Sequence, residues 1–155
     1  MKFYRVLSYI IAAEVIVQAA AIAFALFGLG HWIEDDGGVL NKSVLDDDKD
    51  LKFTGVLGFA IHGMNGMMII PLLTIILVVT SLFMKFVGAK SAALLVLLFV
   101  AIQITLGLAA HSVVYLGPLH AINAFLVIWF ALRAARTAGG TFLVRGPAAE
   151  APVAA

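Results

Sequence analysis

The stretch "SAALLVLLFVAI" (Ser91–Ile102) runs without a charged residue and without the apolar/polar alternation that a membrane-spanning β-strand would need. It reads as a helix that is apolar all round, which belongs in a membrane or deep inside a large protein. The rest of the chain decides between the two. Its 155 residues are 63% hydrophobic and 12% charged, with a mean hydropathy of +1.10, too little polar surface to coat a soluble globule. The solvent is a lipid bilayer.

A bilayer core of about 30 Å takes roughly 20 helical residues. Working outward from Ser91, four runs meet that length, at about residues 6–30, 55–83, 89–115 and 118–137. The expected fold is all-α, an integral membrane four-helix bundle occupying residues 1–140. The first run follows Lys2 and Arg5 and is too long for the apolar region of a signal peptide, so it reads as a retained anchor. Lys2, Arg5, Lys85, Lys90, Arg133, Arg136 and Arg145 fall at run ends that share one side. The loop 31–54 instead holds Glu34, Asp35, Asp36 and the acidic "LDDDKD" (Leu45–Asp50). The positive-inside rule then places both termini in the cytoplasm of a cell membrane, with loop 31–54 and the "LGP" turn (Leu116–Pro118) outside. The stretch 141–155, ending in "RGPAAEAPVAA", reads as a disordered cytoplasmic tail. A formal net charge of +1 gives no reason to expect nucleic acid as a partner, and the absence of cysteine excludes disulfides and thiolate metal sites.

Two of the runs open alike: "HGMNGMMII" (His62–Ile70) and "HAINAFLVI" (His120–Ile128). Upstream of them, "VIVQ" (Val15–Gln18) in the first run resembles "VAIQ" (Val100–Gln103) in the third. This suggests two helical hairpins related as a parallel repeat. In that arrangement His62 and His120 lie at one depth on helices running the same way, near the outer face. Neutral imidazole is the commonest metal ligand, and bundle cores hold cofactors between facing helices. Two histidines are too few for zinc but suffice for the axial positions of a b-type haem.

The neighbours suit a flat macrocycle. Gly66 and Ala124 lie at i+4 from the two histidines, on the same helical face. Asn65 and Asn123 lie at i+3. Because an amide in hydrocarbon needs a hydrogen-bond partner, they are expected to meet each other, a backbone carbonyl, or Gln18 and Gln103. His31, beside Trp32 at the start of the outer loop, and His111, at the outer end of the third run, are candidates for a haem propionate or second metal, and equally for ordinary interfacial residues. Glu14 is an intramembrane carboxyl, a functional candidate by default or a neutral side chain bonded to a neighbouring helix. Pro71 is expected to kink the second helix, and Pro118 suits a first turn.

With these residues in view, the chain resembles one four-helix half of a haem A synthase, a protein of two such halves in which histidines near the outer starts of the second and fourth helices serve a haem. "QITLG" (Gln103–Gly107) is similar to that family's Gln-x-x-Leu-Gly. The chain also resembles small four-helix membrane proteins common in actinobacteria. The resemblance implies haem held by His62 and His120, and a homodimer would recreate the eight-helix form. It does not extend to methyl oxidation: Phe59 stands where the synthase carries a glutamate, and the paired outer cysteines are absent.

Three functions follow from these residues. One is a membrane b-type cytochrome with a single haem b, serving electron transfer to a membrane redox partner or respiratory complex, or haem handling. Another is a cofactor-free accessory subunit that docks through its acidic loop. The third is an enzyme, either haem-modifying or a metal-dependent hydrolase, which would need three converging ligands.

Overall fold

A computed structural model of the chain describes residues 1–46 and 52–138. The described residues are helical, and four helical stretches among them have the length and composition to cross a membrane. Helix α1 spans Lys2–Glu34 and is followed by the short α2, Lys42–Asp46. The second crossing is composite: α3 (Leu57–Met64), a π-helical turn (Asn65–Ile69) and α4 (Ile70–Leu82). Helices α5 (Ala89–Ala110) and α6 (Leu116–Thr137) complete the set. Most of the "LDDDKD" run and the tail 141–155 lie outside the described residues.

Helix bounds differ from the hydropathy runs in both directions. α1 is longer than its apolar run because Lys2 to Arg5 and His31 to Glu34 continue the same hydrogen-bonded path at the two interfaces, where polar side chains reach water. His31 therefore sits in the last turn of α1 rather than opening the loop, and its Nδ1 pairs with Asp35 at 2.6 Å. α5 ends at Ala110, short of the expected Tyr115, and residues up to Tyr115 form a turn.

The start of α1 and the end of α6 lie on one side, since Met1, Lys2, Arg5 and Ala138 line a common cavity of about 210 Å³. Next to this terminal end, α1 packs against α4 and α6, α4 against α5, and α5 against α6. Their shared core is Tyr4, Leu7, Ile11, Val15, Ile70, Leu77, Val96, Val100, Val127 and Ala131, with small alanines between. The turn from α4 to α5 closes on Gly88, at φ +87°, a conformation that glycine adopts freely. Beside it the buried Tyr4 hydroxyl donates to the Ala89 carbonyl at 3.0 Å, and its ring meets Phe86 edge-on at 5.5 Å. Tyr4→Phe keeps the packing and loses the bond, so thermal unfolding in detergent should show a destabilisation of about 1 kcal/mol.

Toward the other end, which carries the long loop, packing becomes pairwise. α3 packs chiefly on α1, where the missing side chain of Gly58 lets its backbone approach the Ala21 carbonyl. At the rim Trp32 stacks on Phe53 with ring centres 6.0 Å apart.

The irregularity of the second crossing precedes Pro71. The Ile70 N–H bonds to the Asn65 carbonyl, one residue further back than in an α-helix. Proline has no N–H to offer in the following position, so it sits in the first turn of α4. The wider turn resets the buried face. Gly58, half-buried His62 and Asn65 keep α-helical spacing, and Ile70, Thr74, Leu77 and Ser81 resume it. Without the extra residue, Asn65 and Leu77 would not face the same interior.

Candidate functional site

The core ends, going toward the loop end, at Val15, Ile70, Val100 and Val127. One turn beyond each of these the chain places a polar residue: Gln18, Asn65, Gln103 and Asn123. Gln18, Asn65 and Asn123 are buried and Gln103 is half-buried. The two histidines lie just past this belt. Their rings are 6.2 Å apart centre to centre, inclined at 64°, although α3 and α6 are not otherwise neighbours: α3 rests on α1, and α6 on α5 and α1.

Each imidazole is anchored in the same way, by the helix before it. His62 Nδ1 lies 3.2 Å from the Gln18 carbonyl oxygen, and His120 Nδ1 lies 3.0 Å from the Gln103 carbonyl oxygen. A carbonyl only accepts, so in both rings Nδ1 carries the proton and Nε2 the lone pair. The matched glutamines thus serve first through their backbone. Their side chains then part ways. The Gln103 amide nitrogen donates to His120 Nε2 at 3.2 Å, and its oxygen accepts from Asn123 at 2.7 Å. Asn123 also donates to the Phe99 carbonyl at 2.9 Å. This half of the belt forms a closed network.

The other half is open. Neither amide atom of Gln18 has a partner among the described residues, and Asn65 Oδ1 has none either. Asn65 spends its Nδ2 on the Glu14 carboxylate at 2.9 Å. Glu14 stands four residues before Gln18, as Phe99 stands four before Gln103, so the two asparagines address equivalent levels of α1 and α5. An unpaired buried amide atom costs about 1–3 kcal/mol, which marks Gln18 and Asn65 as groups prepared for a further contact.

The small residues have specific tasks. A Cβ on Gly66 would stand 2.8 Å from the Gln18 amide nitrogen, so Gly66 makes room for that amide. Ala124 packs against the core. Gly107 is a site residue that the sequence reading quoted without assigning a role: a Cβ there would lie 2.9 Å from His120 Cε1. Its position, i+4 from Gln103 on the same face, is the signal that could have revealed it. Gly107→Ala should push the imidazole off the Gln103 carbonyl; in ¹⁵N-labelled protein the hydrogen-bonded His120 Nδ1–H resonance should vanish while that of His62 persists.

His31 and His111 are exposed, and His31 is paired with Asp35. Among the described residues no three histidine or carboxylate side chains come together in a way that could hold a metal ion. The chain matches no family model, no curated protein and no solved structure.

Proposed function

We propose that the chain is a b-type haem protein of the cell membrane, in which His62 and His120 hold one haem b between two helical hairpins. The observation that carries this reading is the opposed imidazole pair with both Nδ1 atoms tied to carbonyls. Such ties set the ring orientation and the tautomer, and they raise the basicity of the ligating nitrogen. Two imidazoles sharing one metal at bonds of about 2 Å have ring centres on the order of 6 Å apart, and these are at 6.2 Å. Two imidazoles are a donor set that haem iron takes, and this pairing supports the reading. Held by these two histidines, the group would supply one-electron transfer.

The chain's own residues do the positioning. Gly107 gives His120 its place, the closed Asn123–Gln103 pair holds the level of the ring, and the packed core beneath keeps the site near the loop end. The His120 Nε2 that would hold the iron is the atom that the Gln103 amide bonds at 3.2 Å. On this reading the four crossings form a bundle of two hairpins in parallel repeat, α1 with α3–α4 and α5 with α6. The equivalence of Gln18 with Gln103, His62 with His120, and Asn65 with Asn123 supports it. The basic residues Lys2, Arg5, Lys85, Lys90, Arg133 and Arg136 support cytoplasmic termini, which would put the site near the outer leaflet, where a membrane redox partner or a second copy of the chain would meet it.

The test is spectroscopic. Protein purified with haem supplied should show a Soret band and, after dithionite, a sharp α band at one haem per chain. A featureless spectrum at full helicity overturns the proposal. One observation favours a second reading, a cofactor-free accessory subunit: the Gln103 amide already satisfies His120 Nε2, so the histidines could serve as tethers between helices. That protein would be colourless and would keep its partners after loss of both histidines.

A further inference from the structure

Glu14 and Asn65 form the polar end of a cleft of about 220 Å³ whose other lining residues are Val17, Ile61, Met64 and Ile69. Those four are 44–62% exposed, and all lie within crossings long and apolar enough to span. The cleft therefore opens sideways, to lipid. Asn65 is only 4% exposed, and its Oδ1 is an acceptor without a donor. The Glu14 carboxyl beside it has one recorded hydrogen bond, from Asn65. The π-helical turn starts at this same asparagine, and such turns are frequent at functional sites.

A ligand that completes this arrangement needs a hydroxyl to give to Glu14. It must dissolve in the membrane to reach the opening. The Met64 thioether among aliphatic walls favours an aromatic ring. We propose that this cleft binds the aromatic hydroxyl head of a membrane-soluble molecule, a phenol or a hydroquinone. Glu14 accepts from the hydroxyl, and the buried Asn65 holds the carboxyl in place through its Nδ2. That the natural ligand is a hydroquinone rests on the electron-transfer reading above, since Asn65 lies one turn from His62; the binding site itself does not depend on that reading.

The experiment uses the full chain in lipid nanodiscs with dicyclohexylcarbodiimide, which modifies carboxyl groups in apolar surroundings, and maps adducts by mass spectrometry. Glu14 should be labelled, and decyl-hydroquinone should suppress the adduct in a saturable manner while decylbenzene, with the same tail and no hydroxyl, should not. Ile61→Trp, which fills the cleft from its exposed side, and Asn65→Leu should each lose hydroquinone protection. An unlabelled Glu14, equal protection by decylbenzene, or protection that survives both substitutions overturns the proposal. Decylphenol separates the two sources: protection by both hydroxyl compounds supports the site for either, and protection by hydroquinone alone supports the hydroquinone. The readout is independent of haem, so protection in a colourless protein would refute the haem reading and leave this one standing.

Discussion

Replacing His62 or His120 by alanine is expected to abolish the reduced α band of the haem-loaded protein, while His31→Ala and His111→Ala leave it intact. Even the loss of an outer-shell partner of a metal-bound histidine costs about 10–100-fold in metal affinity, so loss of the ligand itself should exceed that. The two sites should respond alike because both rings are held by the same device, a carbonyl on the preceding helix at 3.2 and 3.0 Å. His31 and His111 are exposed, unlike the half-buried pair, which makes them controls for nonspecific haem uptake. The comparison needs only absorbance per chain and a circular dichroism spectrum showing unchanged helicity. If either single variant kept the full wild-type band, bis-histidine ligation would be wrong. Exogenous imidazole should restore part of the band in both variants, since the cavity left by the ring has the shape of the added ligand.

The second large effect concerns the seam that carries His62. Gly58→Leu should destabilise the protein by about 3 kcal/mol, the upper part of the usual range for overpacking. A Cβ at that position would collide with the Ala21 carbonyl oxygen and stand 3.0 Å from Ala25 Cβ. Backbone oxygen cannot turn aside as a side-chain tip can, so α1 and α3 must separate. Gly63→Leu supplies the comparison. It lies on the same helix with nothing within 4 Å of a built Cβ, and its effect should stay within the ±0.5 kcal/mol expected for a surface substitution. Thermal unfolding in a single detergent ranks the two; equal melting temperatures would show that the α1–α3 seam contributes little. Because His62 follows Gly58 by one turn, the Gly58 variant should also lose haem absorbance.

The crossings were legible in the sequence because a bilayer imposes a length and a polarity that hydropathy measures directly. Their ends were not, since hydropathy stops at Gly30 whereas the helix runs on through His31 to Glu34. Pro71 announced an irregular helix. Its form was hidden, because a proline disturbs the turn before it and the extra residue shows only in the burial spacing from Asn65 to Ile70. The repeated His-x-x-Asn spacing points to two histidines that can face one another, and their rings stand 6.2 Å apart. What spacing could not supply was the partner of each polar group. Gln18 and Gln103 look interchangeable as letters, yet only one of their amides is satisfied, and Asn65 bonds Glu14 rather than a glutamine. Such choices depend on crossings between helices remote in sequence. Gly107 went unassigned for the same reason, since its task is defined by a ring on α6.

The π-helical turn has a consequence for the chain's history. From His62 to Ile70 the backbone uses one residue more than from His120 to Val127 to descend from ligand level to the first core side chain. If the two hairpins descend from one ancestor, an insertion between Asn65 and Ile70 after the duplication accounts for the difference, absorbed as a widened loop of backbone instead of a rotation of everything downstream. On the proposed repeat, a superposition of the halves would carry a one-residue gap there, immediately beside the cleft lined by Glu14 and Asn65.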